Sequence, residues 1–212
     1  MSPTPQKLRL TYFGIKGRGE VLRLTLHIGG VPFEDDRIDG EGWKTLKSTT
    51  PFGQVPLLTI NDTTQIAQSH ALLRYTGTLS GLYPAADLVK AALVDQVTLH
   101  IEDINIALSA IIYEKDADRR AKFCKTFYEE KGPAMLSALE RVINQHSGGK
   151  WAVGDSLTVA DLSIYDITDF LKSGLLKGVP TTITDGHARI NEIYNAVHSH
   201  PKVVEWDAAH AN

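Results

Sequence analysis

"LTYFGIKGRGEVLRLTLHIGG", residues 10–30, changes period part-way along. Leu8, Leu10, Tyr12 and Phe13 read as a short apolar strand, which Gly14, Gly17 and Gly19 break. Val21, Leu22, Leu24, Leu26 and Ile28 then give the buried face of a helix, and Gly29–Gly30 stop it. The spacing therefore puts the phenol of Tyr12 where a strand ends and a helix begins. A core aromatic with its hydroxyl at the rim is one reading of that position. The other uses the helix start, whose unpaired amides and partial positive charge favour an anion. A phenol there, with Arg18 close in sequence, could donate a hydrogen bond to an anionic sulfur and lower the pKa of its thiol. A free thiol titrates near 8.5, and its thiolate is the nucleophile.

Working outward, the first 80 residues keep alternating strands and helices. "VPFEDDRI" is an extended run in which Asp35–Asp36 reads as a solvated turn, and "GEGWKTLKS" is a short polar helix. "VPLLTIND" and "TTQIAQ" form a hairpin around Asn61–Asp62, and "SHALLRYTGTL" is a helix with Ser69 as its cap. The order is β-α-β-α-β-β-α. After Gly81 the chain is helical. One long helix spans about 86–114. A second, about 117–145, is bent where Gly132–Pro133 interrupts it. Thr158 caps a third, with Asp161 reaching back as in a capping box, and two shorter helices lie near 187–199 and 201–208. The expected organisation is an α/β domain over 1–81, a linker over 82–90 and an all-helical domain over 91–212.

Composition excludes several classes of function. The 212 residues are 42% hydrophobic and 22% charged with a formal net charge of −3, as in an ordinary globular protein. Lys and Arg are scattered, so no nucleic-acid partner is expected. No segment reaches the length of a spanning helix, and "MSPTPQK" has no apolar core of a signal, so no membrane is expected and the cytoplasm is the expected compartment. The single Cys124 reads as packing, and the eight histidines show no ligand spacing, so no metal is expected.

Three further stretches could hold a ligand. In "PFGQVPLL", Pro56 opens a strand, where proline avoids losing a ladder bond. A cis Val55–Pro56 bond would also turn the Val55 backbone outward towards a peptide-like ligand; spacing leaves both forms open. Gln68 and Ser69 stand at a helix start, where free amides suit a carboxylate. Trp43 and Lys47 are four apart on a helical face, either solvated or gripping a carboxylate.

Five stretches in this order, "YFGIKGRGEVLR", "PFGQVP", "QSHALLRYTGTLSGLY", "HIEDIN" and "GGKWAVGDSLTVAD", resemble the cytosolic glutathione transferases of the tyrosine type, close to the sigma and pi classes. The resemblance implies a thioredoxin-like N-terminal domain followed by a helical-bundle C-terminal domain. It implies glutathione as co-substrate, with its thiolate attacking small hydrophobic electrophiles. Tyr12 then matches the residue that stabilises the thiolate, and Arg18 the residue that supports it. Trp43 and Lys47 match the holders of the glycyl carboxylate, with Gln54 at the same end. Val55, before Pro56, pairs with the cysteinyl backbone, and Gln68 and Ser69 bind the γ-glutamyl carboxylate. Asp103 matches an acid that serves the other subunit's ligand, with Glu102 as its neighbour. Phe52 matches an aromatic inserted into the partner of a homodimer. Phe13 and Ile15, facing Tyr113, are the expected acceptor site. A prostaglandin D synthase type of isomerase and a ligandin-like binding protein are the alternatives. A metal-binding acid cluster of some prostaglandin D synthases is not expected here, since Leu99 and Glu102 replace two of its aspartates.

Overall fold

In the computed structural model, which describes residues 7–210, the chain divides into two compact units. One takes the chain up to Ala85 and regains it from Pro201; the other is Ala86–His200.

The first unit contains β1 (Leu8–Phe13), α1 (Gly17–Ile28), β2 (Glu34–Ile38), α2 (Gly40–Leu46) with a 3-10 turn at Lys47–Thr49, β3 (Leu57–Ile60), β4 (Thr64–Ala67) and α3 (Ser69–Leu79). The sheet order is β2-β1-β3-β4, with β1 parallel to β2 and β3 antiparallel to both β1 and β4. A central strand has both faces covered. Leu8, Leu10, Thr11 and Tyr12 are accordingly all buried, and the Thr11 hydroxyl donates to Asp36 at 2.7 Å. Leu10, Leu24, Leu26, Leu58 and Leu72 are fully buried. Each such side chain contributes about 1.5–3 kcal/mol when removed from water. Asn61 and Asp62, both with positive φ, make the β3–β4 turn, as their residue types suggest.

Several sequence expectations are corrected here. Asp35 and Asp36 are not a solvated turn: both lie in β2, paired with β1, and accept hydrogen bonds from Arg23, Arg37 and Thr11. Ser69 is not the cap of α3. Gln68 takes that place with φ +77°, its carbonyl accepting from Leu72 N, and Ser69 is the first helical residue. The last helix, α9 (Pro201–Ala209), groups with the sheet unit through packing on α1, outside the 91–212 division read from the sequence.

The second unit is built of α4 (Leu88–Ile112), α5 (Ala117–Thr126), a π-helical stretch at Phe127–Lys131, α6 (Gly132–His146), α7 (Val159–Lys172) and α8 (Ala188–His198). Its core includes Ile104, Leu108, Ile143, Leu162, Ile164, Ile190 and Ile193. Gly132–Pro133 does not interrupt the helical path, and Pro133 falls in the first turn of α6. The wider π turn precedes it. The capping box of α7 is present. Asp161, fully buried, accepts from Thr158 N at 2.8 Å, the Thr158 hydroxyl at 3.0 Å and Ala152 N at 2.7 Å. Burial pushes its carboxyl above the ordinary aspartate value, although these three donors pull the other way. Cys124 is buried, as expected of a packing residue. Among the described residues no helix is long and apolar enough to cross a membrane.

Candidate active site

Tyr12 ends the buried part of β1, and its ring lies against the first turn of α1. That approach explains two of the three glycines. A Cβ on Gly17 would stand 2.9 Å from the Tyr12 hydroxyl oxygen, and Gly17 has φ +46°, where a side chain would add strain. A Cβ on Gly19 would stand 2.7 Å from the ring's Cγ. The start of α1 is thus shaped to receive a phenol. Lys16, at its N-cap, makes no side-chain capping bond to the helix. Arg18, half-buried, lies on the same first turn.

The neighbouring candidates gather around this point. The rings of Tyr12 and Phe13 meet edge-on at 5.6 Å, and Phe13 and Trp43 at 6.1 Å. Trp43 is half-buried on α2, and Lys47, the C-cap, donates its backbone N–H to the Trp43 carbonyl. The two side chains therefore do share one helical face. The loop before β3 carries the exposed Gln54 and a cis Val55–Pro56 bond. Gln68 Nε2 donates to Gln54 Oε1 at 3.3 Å, tying that loop to the start of α3. At that start Gln68 again makes no side-chain capping bond. Tyr12, Phe13 and Trp43 are thus brought together, as are Gln54 and Gln68. Ile15 and Phe52 are exposed, at 63% and 64%. Asp103 and Tyr113 lie in the second unit, exposed on α4 and at its C-cap. Among the described residues no group of three or more His, Cys, Asp or Glu could hold a metal ion.

Sequence reasoning missed a set of charged residues beneath the site. Arg23 and Glu20 are buried on α1, at 0% and 4% exposure, although neither belongs to its apolar set. Their signal was present in "GEVLR", an opposite-charge pair three apart inside an apolar run.

Residues 8–77 match the family described as glutathione S-transferase, N-terminal domain, and residues 102–210 match glutathione S-transferase, C-terminal domain. The chain belongs to the glutathione S-transferase family. It is 34% identical to glutathione S-transferase 1 of Ascaris suum, over 94% of this chain and 95% of that protein. It is 31% identical to the hematopoietic prostaglandin D synthase of Gallus gallus, over 93% and 94%. Among solved structures, the prostaglandin synthase D of Nilaparvata lugens superposes with a TM-score of 0.84 at 30% identity, covering 95% of this chain and 97% of that one. The two-part architecture, a thioredoxin-like sheet unit and a helical unit, is that of the family.

Proposed function

We infer that this glutathione S-transferase family member binds glutathione, holds its thiol as thiolate and adds it to hydrophobic electrophiles. The observation that carries this reading is the seat of Tyr12 on Gly17 and Gly19, at a helix start with no side-chain cap. In the reaction the thiol proton leaves for solvent. The Tyr12 hydroxyl and the start of α1 stabilise the resulting sulfur anion. A sulfur–carbon bond then forms on the electrophile as its leaving group departs, its ring opens or its double bond takes up a proton.

The other residues take the following roles. Arg18 supports the thiolate. Trp43, Lys47 and Gln54 hold the glycyl end, Val55 pairs through its backbone beside Pro56, and Gln68 and Ser69 receive the γ-glutamyl carboxylate at the open start of α3. Phe13, Ile15 and Tyr113 are acceptor-side residues. The protein works as a cytoplasmic homodimer in detoxification, with no metal. Phe52, exposed in the single chain, becomes buried in the partner, and Asp103 serves the partner's glutathione. A glutathione-dependent isomerase is the second reading, favoured by similarity to two proteins named as prostaglandin D synthases.

Retention on immobilised glutathione, followed by conjugation assays with aryl halides and isothiocyanates and a separate peroxide-reduction assay, tests the activity. A protein that is neither retained nor active on any of them is not a transferase. Sedimentation velocity of wild type and Phe52→Ala tests the dimer. A wild-type chain that stays monomeric at micromolar concentration while binding glutathione normally contradicts the shared site.

A further inference from the structure

The fully buried side chain of Arg23 is committed to the loop that follows β1. Its Nη1 donates to the Ile15 carbonyl at 2.8 Å and its Nη2 to the Phe13 carbonyl at 2.9 Å. Its Nε donates to Asp35 Oδ1 at 2.8 Å, and Nη1 also lies 3.3 Å from Glu20 Oε2. The guanidinium carbon stands 5.7 Å from the centre of the Tyr12 ring. Only the planar fork of arginine can serve two carbonyls and two carboxylates at once; a lysine ammonium has three donors on one atom.

The other oxygen of Glu20 is also taken. Trp206 Nε1, on α9, donates to Glu20 Oε1 at 2.8 Å in a buried contact. Three side chains therefore connect the last helix to the backbone on both sides of Gly14. Helix α9 makes two further charged contacts, one with this loop and one with the last turn of α1. Asp207 lies 3.7 Å from Lys16, in the loop itself, and Glu205 lies 3.8 Å from His27 on α1. The Trp206 indole is held by the rings of His210 at 3.8 Å, His27 at 5.2 Å and Phe33 at 6.3 Å. The tether is thus itself fixed, with no exposed side chain between Trp206 and the two carbonyls.

We propose that Trp206, acting through Glu20 and Arg23, is a positioning residue for the loop at residues 13–16, so that α9 sets electrophile use and turnover without setting glutathione affinity. This rests on the transferase reading above. This segment follows Tyr12 directly and carries Phe13, at the end of β1, and Ile15, both assigned to the acceptor side. The residues assigned to the glycyl and γ-glutamyl ends of glutathione lie on α2, on the loop before β3 and at the start of α3. Loss of the tether therefore separates the two substrates, which a general loss of stability would not do.

The test combines hydrogen exchange on the ligand-free protein with steady-state kinetics in which each substrate is varied in turn. Trp206→Phe keeps a six-membered aromatic ring and removes the five-membered ring that carries the N–H donor. It should speed amide exchange in the peptide over residues 13–19. It should lower kcat/KM for the electrophile about tenfold, the size of one buried hydrogen bond, while KM for glutathione stays within about twofold. Glu20→Gln should act in the same direction. The double variant should be little worse than the worse single one, because both cut the same chain. Arg23→Lys should show the same split, enlarged. Wild-type exchange in that peptide for Trp206→Phe overturns the proposal, as does an equal loss for both substrates. If wild type conjugates nothing, the transferase reading falls, while the exchange result still decides the tether.

Discussion

Helix α7 begins with early amides met by side chains, whereas neither α1 nor α3 has a capping bond from the side chain at its N-cap. In the helical unit the covering of helix starts is general. Asp87 caps α4, Asp116 caps α5, and Thr158 with Asp161 closes α7. The start of α8 is covered from another helix, with Glu140 of α6 accepting from Arg189 N at 2.7 Å. Helix α6 follows directly on helical backbone. In the sheet unit α2 follows the same practice, with Asp39 accepting from Gly42 N. Helices α1 and α3 carry the two starts to which the thiolate and a carboxylate of glutathione are assigned. A capping side chain is worth about 1 kcal/mol to a helix. A helix start that its own N-cap side chain does not close suits an anion, which is what a site for a charged tripeptide needs. The contrast separates helix starts that serve stability from those left for a ligand.

The largest expected effect falls on the open side. Tyr12→Phe should lower kcat by about 10²–10³ while the fold and glutathione affinity stay near wild type, since one donor to an anion is lost and nothing else. Stopped-flow or steady-state conjugation assays beside a thermal melt check both halves. Wild-type turnover at neutral pH would remove Tyr12 from the chemistry.

On the closed side, Asp161→Asn sets an amide against donors that now meet a carboxyl, and should cost about 3 kcal/mol of stability. In a chain of this size that lowers Tm by roughly 10 °C. Its pH dependence has a definite sign. Because the folded carboxyl titrates above its ordinary value, folding favours the protonated form. That contribution is complete below the ordinary aspartate value and is lost as pH rises through the folded one. The stability gap between wild type and Asp161→Asn should therefore narrow over that rise, as read from urea unfolding at a series of pH values. A gap that widens with pH would reverse the assignment.

The smallest pair of effects sharpens the contrast most. Thr158→Ala should cost about 1–2 kcal/mol, as loss of a true cap does. Ser69→Ala, also at a helix start, should leave stability within about 0.5 kcal/mol and instead weaken glutathione binding about tenfold, as loss of one hydrogen bond to a carboxylate does. Equal stability losses in the two melts would mean that α3 is capped like α7, and the contrast would dissolve.

What the sequence made legible follows the same division. Strand and helix order, the Asn61–Asp62 turn and the Thr158–Asp161 box were all readable, because each is set by residues a few positions apart. Ser69 was read as a cap because a serine before a helical run usually is one. The left-handed Gln68, one residue earlier, carries the turn instead, and no residue type announces that. Asp35–Asp36 looked like a turn because nothing local reveals that Arg23 and Thr11 will face them. Glu20 and Arg23 lie off the apolar face of α1 that periodicity picks out, because periodicity marks a single covered face. Helix α9, nearly two hundred residues on, covers the other. The glycines at 17 and 19 were legible as breaks in the strand, but their closeness to the Tyr12 ring was not.

The central claim, that the start of α1 with Tyr12 holds the sulfur of glutathione as an anion, is tested most directly by titrating the thiol of bound glutathione through its thiolate absorbance. In wild type the bound thiol should titrate about two units below the free thiol, a stabilisation of the anion near 2.7 kcal/mol. In Tyr12→Phe it should return most of the way towards the free value. A wild-type complex whose thiol titrates like free glutathione would contradict the account.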